Sequence, residues 1–350
     1  MNRPPPPLSK PLALRPLHQR ALLVTGAMLL VAIACMLYAG MTGSVEVGLA
    51  DVPAALRELF EGRPQTLAAS LLELRAGRAT VAFATGAALA LAGVLMQALL
   101  RNPLADPYIL GISAGASVGA LAALMLMAAM ATVELAAVAG AIVVSLLLYA
   151  LARQDLRGGA GSGGGTSTLL LTGVVISSLC VALITMMLSI APEGRLRTMV
   201  FWMIGDVAGA PVRLLPWLVL GAALLYALRN ARGMNVLALH AEAAVTLGVP
   251  VGSLRRGLFL VSGILTASAV TSAGSIGFVG LIVPHACRFA FGPDHRVLIP
   301  ASVLAGGSFL VLCDTLARTI VAPQQLPVGA VTAIIGAPIF LYQLHRLRRH

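Results

Sequence analysis

An all-α, polytopic membrane protein is the fold class that three observations predict. The 350 residues are 59% hydrophobic and only 11% charged, with a mean hydropathy of +0.93, so water is the wrong solvent for most of the chain. Uncharged runs of about 20 residues recur along it, the length a helix needs to cross a hydrocarbon core about 30 Å thick. The basic residues are shared unevenly between alternate loops, as the positive-inside rule requires of a spanning chain. Together these exclude a soluble enzyme, a nucleic-acid module and a disordered chain. The net charge of +11 comes from 23 Arg and one Lys scattered between apolar runs, with no basic patch interleaved with aromatics. Topology explains that excess better than a polyanionic partner.

Residues 1–20 carry Arg3, Lys10, Arg15 and Arg20 without an acid and read as a cytoplasmic tail. The run that follows, 21–41, is too long for a signal-peptide core and lacks a convincing A-x-A site, so it is expected to be an uncleaved first span. Residues 42–78 mix charges of both signs in an amphipathic pattern, predicting an outer loop with a short surface helix. Runs 79–100, 107–133, 135–152 and 169–192 follow as spans. After them 214–228 is short, 257–287 is long with Pro284 inside it, and 297–313 leads through Asp314 and Arg318 to 326–344. Hydropathy gives eight firm spans and leaves room for ten. With ten, sixteen of the 24 basic residues fall on one side. The acids Glu46, Asp51, Glu58, Glu61, Glu73, Glu134, Glu193 and Asp206 all fall on the other, which puts both termini in the cytoplasm.

Two inner loops stand out. Residues 153–168 hold RGGAGSGGGTST, a flexible connector; the glycine tract 158–165 lacks the Lys-Ser/Thr pair of a phosphate loop. Residues 229–256 hold MNVLALHAEAAVTLGV, a helix-friendly stretch between Gly233 and Gly248. The one lysine lies in the proline-rich tail, so no Walker A lysine exists and the chain is not expected to hydrolyse ATP. Six dispersed histidines form no H-E-x-x-H motif, and no G-x-S-x-G or paired-carboxylate arrangement is present. Cys35, Cys180, Cys287 and Cys313 occur singly in or beside apolar runs, as small packing residues do, with no disulfide or zinc spacing. Asp314 lies near membrane depth, four residues before Arg318, and a helical pair satisfies it more simply than a proton-relay role. GSIGFVG (274–280) reads as close helix packing or a broken helix beside a cavity. ALALAG (88–93) and GISAGASVGA (111–120) read as close helix contacts.

Taken in order, longer motifs become specific. They include LRAGR (74–78), GAALALAGVLMQALLRNPLADPYILGISAGA (86–116), LLLTGVVISS (169–178), FWMIGD (201–206) and LALHAEAAVTLGV (237–249). GSIGFVGLIVPHACRF (274–289), GPDHRVLIP (292–300), DTLART (314–319) and LPVGAVTAIIGAPIFLYQL (326–344) complete the series. From about residue 20 to the end the chain resembles the permease subunit of type II ABC importers for iron-siderophores, haem and cobalamin, the FecCD family. The resemblance implies that fold, with ten transmembrane helices in a single permease domain, 21–350, placed in the bacterial inner membrane among lipid. It implies a homodimer around the pathway, two ATP-binding subunits that use ATP and Mg, and a periplasmic substrate-binding protein. No cofactor is expected on this chain, no nucleic-acid partner, and no catalytic or metal residue.

Residue by residue, the resemblance places Asn235, Leu237, Ala238, His240, Ala241, Glu242, Leu247 and Gly248 in the ATPase-coupling stretch. Asn102, Leu104, Thr166 and Ser167 fall at a cytoplasmic gate, and Met199, Trp202 and Gly205 near a periplasmic gate. Arg75, Arg78 and Arg318 are expected to dock the binding protein. Arg75 and Arg78, three apart, share a helix face where solvated guanidinium groups can grip carboxylates, or else only anchor the span at the interface. The family's usual R-L-P-R is here Arg75-Ala76-Gly77-Arg78, and His240 stands where a glycine is common. An ion-coupled secondary transporter is the alternative, resting on Asp314 alone, with no clear internal repeat. An intramembrane enzyme would need His285 and Asp314 to converge with further groups. A pathway lined by apolar and small polar residues suits a bulky preassembled chelate better than a bare cation, which calls for carboxylate or imidazole ligands.

Overall fold

The computed structural model describes residues 17–48, 50–153, 156, 165–239 and 241–347. Among the described residues there are thirteen α-helices and a 3-10 turn at Pro107–Leu110, with no strand. In chain order the first helices are α1 (Leu17–Met41), α2 (Val52–Phe60), α3 (Leu67–Leu100), α4 (Ile112–Met125), α5 (Met130–Leu151) and α6 (Gly165–Ser189). Then come α7 (Glu193–Ile204), α8 (Leu214–Leu239), α9 (Ala241–Thr246) and α10 (Val251–Ala273). The last three are α11 (Val279–Phe291), α12 (His295–Thr319) and α13 (Val328–Leu347). Seven of these are long and apolar enough to cross a membrane; with the shorter apolar helices α4, α11 and α13 they make ten. All four cysteines are free and buried, as packing residues should be.

The centre of the bundle is α3, whose apolar window is 89% buried, against 11% for α1. Lipid tails give helices no hydrophobic reason to associate, so tight packing through small residues has to supply the contact. Around α3 that packing is backbone on backbone. A Cβ on Gly93 would strike the Gly280 carbonyl of α11, and one on Gly86 the Gly306 carbonyl of α12. Likewise Gly119 of α4 lies against the Ala136 backbone of α5. Gly93 and Gly119 lie in ALALAG and GISAGASVGA, where close contact is expected. The windows of α5, α6 and α8 are only 22% to 28% buried, so apolar side chains face outward as they must in hydrocarbon.

Several boundaries differ from the hydropathy reading, each for a local reason. The run 107–133 is not one span: Asp106 caps the 3-10 turn, Gly111 turns left-handed with φ 76°, and Met127 with φ 55° follows the end of α4. The run 257–287 is two helices, broken at Gly274 (φ 70°) and Phe278 (φ 72°), which bears out the broken-helix reading of GSIGFVG. Helix α3 begins at Leu67, capped by the Thr66 hydroxyl accepting from Ala69 N at 3.2 Å, and so absorbs residues placed in the outer loop. Helix α8 runs past the short apolar run to Leu239, since Arg229, Asn230, Arg232 and Asn235 are sustainable at a helix end leaving the bilayer. The single inner helix expected at 235–248 is therefore the end of α8 followed by the separate α9. The surface helix expected within 42–78 is α2.

Candidate functional site

Polar chemistry concentrates at the two ends of the bundle. At the acid-rich end Asp314, 1% exposed, sits near the end of α12. From α3 Arg78 donates through Nε to both its carboxylate oxygens, at 2.8 and 3.0 Å, and Arg318 Nε stands 3.2 Å from Oδ2. The helical pair with Arg318 is present, then, but shared with a second guanidinium that local spacing could not reveal. Arg78 also donates through Nη1 to Gln325 Oε1 at 2.8 Å, and its Nη2 lies 3.5 Å from Asp206 Oδ1 after α7. Arg75 turns toward the chain leaving α1, donating to Met41 O at 3.0 Å and to Val45 O. Arg318 Nη2 donates to Ala39 O at 3.1 Å.

The expectation of solvated guanidinium groups at Arg75 and Arg78 is thus corrected: Arg75 is 6% exposed and Arg78 half-buried, and Arg318 is likewise buried. Extending α3 back to Leu67 draws Arg75 and Arg78 into the bundle, where a charge must find acceptors or leave. The three arginines still converge, lining with Ser44, Glu73 and Gln325 an open hollow of about 510 Å³.

Beside this end α7 is clasped by its neighbours. Met199 is fully buried and Trp202 half-buried. Gly205, with φ 85°, lies where a Cβ would come 2.6 Å from Ile276 Cγ1. Gly329 N donates to Gly205 O at 3.1 Å, and Asp206 N to Ala273 O at 2.9 Å. The break between α10 and α11 is tied in turn by Ile276 N donating to the Tyr108 hydroxyl at 3.0 Å. Ser113 and Ser275 hydroxyls share a hydrogen bond at 3.0 Å. Along α6 an open hollow of about 530 Å³ is lined by Tyr108, Ile109, Val174, Ser177, Ser178 and Val181, without a charge. Its serines bond back to their own helix, Ser177 to Gly173 O at 2.8 Å and Ser178 to Val174 O at 3.0 Å.

At the opposite, basic end, Arg101 closes α3 in a left-handed conformation. Asn102 is exposed and its side chain accepts from Leu104 N at 2.9 Å. The side chains of Thr166 and Ser167, at the start of α6, lie outside the described residues, as do the glycines 158–164 and the tail 1–16. Of the coupling stretch, Leu237 is buried, Ala238 exposed and Leu247 67% exposed, and Gly248 turns with φ 77°. His240 and the side chains of Ala241 and Glu242 lie outside the described residues. Asn235 is half-buried. Its amide joins Asp294 and His295 at the start of α12, with Nδ2 donating to Asp294 Oδ1 at 2.8 Å. Burial pushes the Asp294 carboxyl up, but bonds from Arg296 N–H and the Asn235 amide outweigh it and hold it below its ordinary value. Gln325 and the pairing of Asp206 with Arg78 were not anticipated; both partners are far apart in sequence and carry no local pattern. Among the described residues no three His, Cys, Asp or Glu are grouped to hold a metal.

A family model for the FecCD transport family matches residues 29–346. The chain belongs to that family. A FecCD relative from Halobacterium salinarum, named a cobalamin import system permease protein, is 43% identical over 81% of this chain and 75% of its own length. An Escherichia coli relative, a vitamin B12 import system permease protein, is 40% identical over 79% of this chain and 84% of its own. A solved metal-chelate type ABC transporter in an inward-facing conformation superposes with a TM-score of 0.78 at 26% identity. It covers 93% of this chain and 99% of that one. The ten-helix FecCD permease fold and the multi-pass membrane character follow from these together with the helices themselves.

Proposed function

We propose that this chain is the permease subunit of an ATP-driven importer carrying cobalamin inward across the bacterial inner membrane. Ferric siderophores and haem are the alternative cargoes of the same chemistry. The family match over nearly the whole chain carries the reading. The names of the relatives favour cobalamin, and the charge-free hollow along α6 suits a bulky chelate whose metal is already coordinated. A second copy completes the pathway, and the arginine excess puts the basic end in the cytoplasm. There two ATP-binding subunits, which hold ATP and Mg, meet α9 and the exposed Leu247. A periplasmic substrate-binding protein meets the hollow at the acid-rich end.

The test is reconstitution of the chain with its ATPase and binding protein in vesicles, measuring uptake of cobalamin, a ferric siderophore and haem. ATP-dependent cobalamin uptake that survives a proton ionophore is expected. Uptake abolished by the ionophore while ATP persists would instead establish the ion-coupled transporter. ATP hydrolysis by the chain purified free of other subunits would overturn its assignment as a passive subunit.

A further inference from the structure

Helix α12 is tied at both ends by polar groups and is apolar or small between them. At its basic end Asn235, close to the end of α8, uses both halves of its amide on two consecutive residues. Its Nδ2 donates to Asp294 Oδ1 at 2.8 Å, while its Oδ1 accepts the His295 backbone N–H at 2.9 Å. The same oxygen lies 2.7 Å from His295 Nδ1, which must carry the ring proton to make that contact. Asp294 is the N-cap of α12 and also accepts from Arg296 N at 2.9 Å. The first N–H groups of a helix have no partner within it. Here one of them ends on a side chain 60 residues away in another helix.

Asn235 shortly precedes the corner at which α8 gives way to α9. At the far end of α12, about 28 Å away by helical rise, Asp314 holds Arg78 of α3 and Arg318. Between the two ends α12 is locked onto α3. A Cβ on Gly306 would overlap Ala90, and one on Gly307 would come within 2.6 Å of the Phe83 ring. Where α12 packs this closely on α3 it has little room to move alone, so displacement at one end is passed along it.

We propose that Asn235 is a positioning residue of the transport cycle. It is the joint that carries movement of the α8–α9 corner into α12, and so to the Asp314–Arg78 cluster. This rests on the permease reading, in which α9 meets the ATPase and the far end meets the binding protein. Asn235 works from inside the bundle and is not part of the ATPase contact surface.

Asn235→Asp is the probe, because it keeps the shape and the acceptor facing His295 but sets a carboxylate against Asp294, where like charges repel. It is read in the complete complex with both partners, in lipid. The ATPase subunits and binding protein should still bind, while stimulation of ATP hydrolysis by loaded binding protein falls at least about fivefold, the lower end of ordinary coupling between sites. Undiminished stimulation would overturn the proposal and leave Asn235 as a helix cap. If Asn235→Asp does not assemble, Asn235→Leu takes its place, keeping the side chain's size while removing its donor and acceptor. Weaker stimulation with both partners bound supports the joint, and full stimulation overturns it. A wild-type complex that carries out no ATP-dependent uptake would instead count against the permease reading itself.

Discussion

Asp314 shows what a single residue decides in this molecule. Its carboxylate is almost wholly buried between two guanidinium groups, so removing its charge takes the carboxylate from Arg318 and leaves Arg78 only the longer pair to Asp206. Breaking a buried ion pair from one side costs about 3–5 kcal/mol. Asp314→Asn is therefore expected to lower the melting temperature of the detergent-solubilised protein by many degrees. The uptake that remains should stay insensitive to a proton ionophore. Unchanged stability with lost uptake would point to a titrating role. Part of this site was legible in the sequence, because Asp314 and Arg318 lie one helical turn apart. The other part was not, because Arg78 lies 236 residues away and nothing in LRAGR names its partner. The bonds of Asn235 to Asp294 and His295 were hidden for the same reason, because their partners lie 59 and 60 residues away.

At the scale of elements, the existence of the spans was readable and their ends were not. Apolar length reports the cost of putting backbone and charge in hydrocarbon, and that cost is insensitive to a kink among apolar residues. Hence the breaks at Gly111 and Met127 were hidden inside an apolar run read as one span, whereas the glycines of GSIGFVG pointed to the break at Gly274. The glycine-rich stretches were informative because close approach leaves no room for a Cβ. Gly93→Val tests this, since its side chain would drive into the Gly280 backbone and force α3 and α11 apart. Overpacking costs about 1–3 kcal/mol even where a neighbouring side chain can shift. Here the obstacle is backbone, and near-complete loss of folded protein from the membrane is expected, while Gly221→Val, with open space at its Cβ, should be tolerated. Comparable yields of the two variants would show that the helices are not in contact there. A second element, the turn between α2 and α3, hangs on half-buried Glu58, which accepts from Thr66 N and Gln65 N at 2.9 Å each. Those bonds lower its pKa, so the turn is held above the ordinary carboxylate range and loosens as pH falls through the lowered value. Glu58→Gln should remove that pH dependence, measured as protease cleavage within residues 61–66.

For the whole molecule the outward faces decide the assembly. Lipid tails can cover the apolar sides of α1, α5 and α8, but the hollow along α6 is open, and no described residue roofs it. A hollow of about 530 Å³ is an unfavourable shape for lipid and a natural half of a pathway between two copies related by a two-fold axis. If the two-fold axis passes through the mouth of that hollow, Ser178 of one copy approaches Ser178 of the other. A Ser178→Cys variant should therefore give a cross-linked dimer with a short bifunctional thiol reagent in membranes. The four native cysteines are buried and supply little background. The control is Leu225→Cys on α8, a residue 70% exposed and assigned here to lipid. Cross-linking at Ser178→Cys alone, reduced when loaded binding protein and ATP shift the complex, is the expected pattern. Cross-linking at Leu225→Cys and none at Ser178→Cys would place the second copy on the other side of the bundle and leave the α6 hollow facing lipid.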